Sequence, residues 1–254
     1  MFDKEIEFSA HELIISDKSV YPKPIKLNIP EWYKNLKHTV GDETIKGCIP
    51  FMDSLTTGYV LSLPQDFKLF HNTTNPETGE ENQIALVPSH AHHSYIEDYL
   101  LSECNLNMKA EAHPPKQVEG SPLVKKNNNC PFFKILNPWK IKTPPGYSCL
   151  FVPPLNNSDD RFSIIPGIVD TDTFPAYINF PCIVNGDKYK TLETDLKKGT
   201  PYVQIIPFKR DNWRMKTDFI KQVDKVKSKI YLFRAAGKII NRYKNFFWSK
   251  KSWK

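Results

Sequence analysis

The hydrophobic pattern changes character once along this chain, near residue 211. Before that point apolar residues come in short runs. The clearest lie between Trp139 and Arg210, where WKIKTPPGYSCLFVPPL, FSIIPGIVDTDTFPAYINFPCIV and TLETDLKKGTPYVQIIPFKR follow one another. Each is rich in β-branched and aromatic residues and is bounded by Pro, Gly, Asn or Asp, the signature of half-buried strands between tight turns. Further strands are predicted at Ile6–Ser9, Leu13–Ile15, Ile25–Leu27 and Ile84–Val87, and over residues 45–70 as a pair around Thr56-Thr57-Gly58, with Tyr59, Leu61 and Leu63 alternating. A short helix is expected from Pro30 to Leu36, with Asn28 and Pro30 as its start signals. Residues 72–82 are polar and turn-rich and read as an exposed loop. Residues 88–130 form an irregular excursion holding one short helix, from Ser94 to Leu101.

Beyond residue 211 the period becomes helical. Met215, Phe219, Val223, Val226, Ile230 and Phe233 are spaced 4, 4, 3, 4 and 3 apart, so they share one face of a helix entered at Trp213 with Asp211 as its cap. The chain is therefore predicted to be mainly β, with residues 1–44 an arm of strand and helix. Residues 45–210 form the β domain, with its insertion near 88–130, and 211–254 form a basic amphipathic helical tail.

Composition sharpens this picture. Twenty-one Pro against ten Gly favours short strands and stiff turns over long central helices. The net charge of +7 is uneven. Residues 211–254 hold 13 Lys or Arg against 3 Asp, whereas residues 1–210 hold 22 Lys or Arg against 25 Asp or Glu. The tail's cationic face opposite Phe, Ile and Val suits an acidic protein, nucleic-acid phosphates or an anionic membrane surface, or else docks on the body with its Lys and Arg solvated. Five scattered cysteines without a Cys-x-x-Cys pair read as reduced, buried thiols. With no secretory signal and no long apolar run, the expected location is the cytoplasm.

Three pieces carry a family likeness: Pro145-Gly146-Tyr147, Gly167-Ile168-Val169-Asp170-Thr171-Asp172, and Gly199-Thr200-Pro201-Tyr202-Val203-Gln204. With Gly58-Tyr59-Val60-Leu61 upstream, their order resembles the dUTPase-like (β-clip) family. The resemblance implies a β-clip barrel or sandwich and a homo-oligomer, since that family builds trimers. It also implies a ligand site around Tyr59, Gly167, Asp172 and Gln204. The Asp matching Asp170 would be the general base toward water. The family's phosphate chemistry is incomplete here: Thr173 stands where an aromatic residue belongs, Phe174-Pro175 where an Arg-Gly pair belongs, and Val152-Pro153-Pro154 where an Arg-Ser-Ser motif belongs. With Pro30–Lys34 and Lys46–Phe51 added, the whole chain is also similar to uncharacterised proteins of tailed phages and bacteria.

Two readings of the hairpin stand side by side. Asp170 and Asp172 either serve a ligand or satisfy backbone amides in a tight turn. A second constellation is His90-x-His92 with Glu97, the pattern of a divalent-metal site on a strand, for which His113 is the nearest further ligand; its alternative is a solvated polar loop. The expected function is a non-catalytic binding or assembly protein, phage-encoded, on a dUTPase-like frame. The alternatives are a divergent nucleotide hydrolase using Asp170 and a metal-dependent enzyme using His90 and His92.

Overall fold

The computed structural model describes residues 4–39, 43–89, 112–234 and 242–254. The chain is mainly β, built from antiparallel sheets that, among the described residues, do not close into a barrel. Its principal sheet has five strands. In spatial order these are β10 (Gly167–Val169), β8 (Tyr147–Val152), β13 (Pro201–Lys209), β3 (Tyr59–Ser62) and β2 (Lys23–Pro24). A three-stranded sheet places β11 (Phe180–Val184) between β6 (Phe133–Ile135) and β9 (Phe162–Ile164), and another places β4 (Phe67–Thr74) between β12 (Leu192–Leu196) and β5 (Glu81–Pro88). A two-stranded ribbon pairs β1 (Glu7–Ser9) with β7 (Lys140–Lys142). One continuous core fills the space between these sheets, with Phe67, Phe133, Phe151, Phe180 and Trp139 among its members. Burial of such large apolar side chains is the main force holding the sheets together.

Several predicted strands are helical instead. Leu13–Ile15 lies in α1 (Glu12–Ile15), because the His11 side chain caps it by accepting from the Leu13 amide at 3.3 Å. Ile25–Leu27 is a 3₁₀ turn (Ile25–Asn28). The first half of the predicted pair over residues 45–70 is a 3₁₀ turn (Ile45–Gly47) followed by α3 (Ile49–Thr56), where Pro50 sits in the first turn, the one helical place that tolerates a missing N–H. The expected helix after residue 30 forms as α2 (Glu31–Asn35). Val60, Leu61, Ser62 and Leu63 are all buried, so past Tyr59 the strand has no solvent face and the expected alternation is absent. The loop over residues 72–82 narrows to a turn between β4 and β5, where the Asn75 carboxamide accepts from the Glu77 amide at 2.9 Å. Within the excursion, residues 112–130 are described. They carry α4 (Pro122–Lys126), capped by Ser121, and a buried Asn127 whose side chain bonds the Cys130 and Pro131 carbonyls and the Val184 amide. His90, His92, Glu97 and the helix expected at Ser94–Leu101 lie outside the described residues.

His71 of β4 is fully buried, and its Nε2 stands 3.1 Å from the Asn128 amide nitrogen. Burial lowers its pKa below the ordinary 6.5. The unfolded chain therefore binds a proton that the folded chain refuses, and stability falls as pH drops below about 6.5. Urea titrations at stepped pH should show this slope, and His71→Leu should flatten it.

The tail departs from its expected form at its start. Asp211 caps nothing; its carboxylate pairs with Lys209 at 2.7 Å. Residues 211–221 have no regular structure, and α5 spans Gln222–Arg234. Every residue from Lys209 to Ile230 is exposed. A short α6 (Arg242–Phe246) follows, and residues 248–254 return to the body. There the Trp248 Nε1 donates to the Asp53 carboxylate of α3 at 3.0 Å, the Lys251 ammonium pairs with the same carboxylate at 2.6 Å, and Trp253 packs edge-on against Tyr59.

Candidate functional site

The principal sheet brings the quoted motifs together. Gly58 leads into β3, Gln204 lies within β13, and Gly167–Asp172 supplies β10 and the start of the turn after it, with β8 between β10 and β13. Gln204 is fully buried, and its side chain is spent within the fold. Its amide nitrogen donates to the Ser54 and Thr57 carbonyls at 3.0 and 2.7 Å, and its amide oxygen accepts from the Leu155 N–H at 2.8 Å. It clasps the end of α3 and the loop after β8 onto β13.

The expected hairpin is instead an edge strand, β10, paired with β8, and a turn at Asp170–Phe174 that leads into a strand of another sheet; a charged bracket fastens that turn. Asp172 is only 5% exposed. It accepts from the Gly146 N–H at 2.8 Å and from both terminal nitrogens of Arg210, the nearer-to-ideal contact measuring 2.8 Å. Arg210 also donates to the Ser148 hydroxyl at 3.0 Å and the Tyr147 carbonyl at 3.2 Å, and its own N–H donates to the Gly146 carbonyl at 2.8 Å. Beneath the bracket the Thr143 and Thr171 hydroxyls meet at 2.7 Å, and Thr171 reaches the buried Cys149 sulfur at 3.4 Å. Burial pushes that thiol up to about 11, so it stays protonated and unreactive near neutral pH.

Asp170 differs from Asp172 in being 61% exposed. It accepts from the Ser148 hydroxyl at 2.6 Å and lies 3.3 Å from the Arg210 guanidinium, while its carbonyl closes the turn by accepting from the Thr173 and Phe174 amides. Gly167 opens the exposed edge strand, and an added Cβ there would meet nothing within 4 Å. The Asp170 carboxylate is open to solvent with the Arg210 guanidinium as its cationic neighbour. Arg210 itself escaped sequence reasoning, since its partners are 38 and more residues away; the usable signal was a lone Arg closing the strand that pairs with Tyr147–Val152.

The Arg210 guanidinium, helped by the Gly146 amide, holds the Asp172 carboxyl at about 2, below its usual 3.8. This contribution to stability is complete above about pH 4 and is lost as pH falls through about 2. Acid unfolding followed by circular dichroism should show a limb in that interval, and Arg210→Ala should remove it.

Tyr59 stands at a different place, on the rim of a cleft of about 860 Å³ lined also by Lys4, Thr143, Tyr147, Pro207 and Trp253. The Lys4 ammonium lies 4.1 Å from the Tyr147 ring centroid, a cation–π contact. The Tyr59 hydroxyl donates to the Lys254 carbonyl at 3.3 Å, and burial raises its pKa. The cleft at Tyr59 and the Asp170 turn therefore share the 143–147 turn without sharing a pocket. Of the metal-site residues only His113 is described: its Nδ1 lies 2.9 Å from the Gln117 carboxamide oxygen, and its backbone bridges to Phe132. Among the described residues no three His, Cys, Asp or Glu side chains converge as a metal site would require.

No family profile, no curated protein and no solved structure matches the chain.

Proposed function

We propose that this chain is a non-catalytic binding or assembly protein that grips its partner with the arm over residues 211–234. The observation that carries this reading is the arm's own surface. Trp213, Met215, Phe219 and Ile220 are between 67 and 91% exposed, and Val223, Val226 and Ile230 continue the row along α5. A contiguous apolar row of this length in water is a contact surface awaiting its partner. The body supports the same reading. Asp172, only 5% exposed, and the buried Gln204 are consumed in fastening the sheet, and the guanidinium beside Asp170, that of Arg210, is already paired to Asp172. Phosphoryl-transfer chemistry rests on positioned cations around the phosphates, and one guanidinium already paired to Asp172 falls short of that.

The adjacency of Gly58, Gln204 and the Gly167–Asp172 segment in one sheet favours a dUTPase-like frame, and with it a homo-oligomer. The likeness of Pro30–Lys34 and Lys46–Phe51 to phage proteins supports an origin there, in the host cytoplasm or the virion.

Light scattering on the full chain tests the reading. The expected mass exceeds the 29.4 kDa of one chain and returns toward it in the Phe219→Ser/Val226→Ser/Ile230→Ser variant. Turnover of dUTP that disappears in Asp170→Asn would instead establish the hydrolase.

A further inference from the structure

The arm's sequence and its structure disagree in an informative way. The apolar spacing 4, 4, 3, 4 from Met215 to Ile230 is that of one helical face, yet the helix begins only at Gln222. The nine residues from Trp213 to Lys221 carry a helical pattern that nothing in the fold rewards, because every one of them is exposed. An amphipathic segment of this kind takes its helical form from the surface that buries its apolar side. Basic side chains flank that side. Around α5, Lys227 lies on one margin of the Val223–Val226–Ile230 stripe, and Lys225 and Lys229 lie toward the other. Upstream, Arg214, Lys216 and Lys221 are interspersed with Trp213, Met215, Phe219 and Ile220.

We infer that the surface is an anionic lipid bilayer, on which residues 213–221 join α5 as one interfacial helix. This rests on the reading of the arm as the binding element and names what it binds. Charge complementarity selects the surface: 7 basic residues against 3 acidic ones over residues 211–234 attract negative headgroups. Lysines at the margins of an apolar stripe reach outward to headgroups while their stems and the stripe enter the acyl boundary. The same charge opposes packing one arm against another copy's arm, so self-association through the arm would set it on the other copy's body, where residues 1–210 hold 22 Lys or Arg against 25 Asp or Glu. Nucleic acid would meet the cations but leave the aliphatic row from Met215 to Ile230 in water. No helix among the described residues is long and apolar enough to cross a membrane, so the segment lies along the surface.

The test uses the full chain with vesicles of phosphatidylcholine alone or mixed with phosphatidylglycerol. Expected are co-sedimentation with the mixed vesicles only, weakening by about tenfold or more at about 0.5 M salt, and amide exchange over residues 215–221 slowed by about tenfold or more on the vesicles. The Phe219→Ser/Val226→Ser/Ile230→Ser variant, whose substitutions are all on exposed positions, should lose about tenfold or more of the binding. Absence of binding to mixed vesicles overturns the inference, as does equal binding by the variant. If self-association in vesicle-free buffer depends on the same three residues while vesicles are ignored, the lipid assignment falls and the arm remains the binding element. If the variant changes neither property, both fall.

Discussion

Gly58→Ala will lower the stability of the chain by about 3 kcal/mol or more, enough to remove a large part of a typical domain's total. Two independent costs combine. The backbone at Gly58 has φ +80, a conformation that residues bearing a Cβ rarely adopt. A Cβ built there would also lie 2.0 Å from the carbonyl oxygen of Ile205, which is backbone and cannot rotate aside. Relief requires β3 to move away from β13, across the centre of the five-stranded sheet, and the Ile25 amide, which donates to the Gly58 carbonyl at 3.0 Å, would move with it. Urea denaturation monitored by fluorescence and by circular dichroism measures the loss. A shift of the midpoint within error of the parent would show that the strand pair yields more easily than its geometry indicates.

The second large effect is expected at Gln204. Replacing it with Leu keeps the volume but strands the Ser54 and Thr57 carbonyls and the Leu155 amide, each of which has Gln204 as its side-chain partner. An unsatisfied buried polar group costs about 1–3 kcal/mol, so a loss of about 3–5 kcal/mol is expected, tempered if water enters. Gln204→Glu separates the parts of this effect, since a carboxylate cannot donate to the two carbonyls while still accepting from Leu155. It should destabilise as well, and more at pH 8 than at pH 5, where protonation restores one donor. Because Gly58 and Gln204 act on the same strand pair, the double substitution should cost less than the sum of the two singles.

How much of this was legible beforehand depends on the range of the interactions. The short β runs between Trp139 and Arg210 became β7 to β13, because alternation and turn residues act over a few positions. The region around Ile49–Thr56 misled because Ile-Pro-Phe-Met is apolar without a clear period, and only Pro50 hinted at a first helical turn. At Gly167–Asp172 and Gln204 the residues were recognisable, but neither the edge strand with its turn nor the work of the side chains was. Asp172 is fastened by Arg210 across 38 positions and Gln204 by Ser54 and Thr57 across 150 and 147, separations that no local pattern encodes. The stripe from Met215 to Ile230 was readable for the opposite reason. It is wholly local, and what it lacks is a neighbour to act on.

The return of Trp248, Lys251 and Trp253 to Asp53 and Tyr59 makes the arm a handle fixed at both ends. A protease that nicks the exposed stretch near Lys216 or Lys221 would therefore release no fragment at once. The severed piece would stay clipped through its tryptophans and copurify, parting only when denaturant loosens the clip.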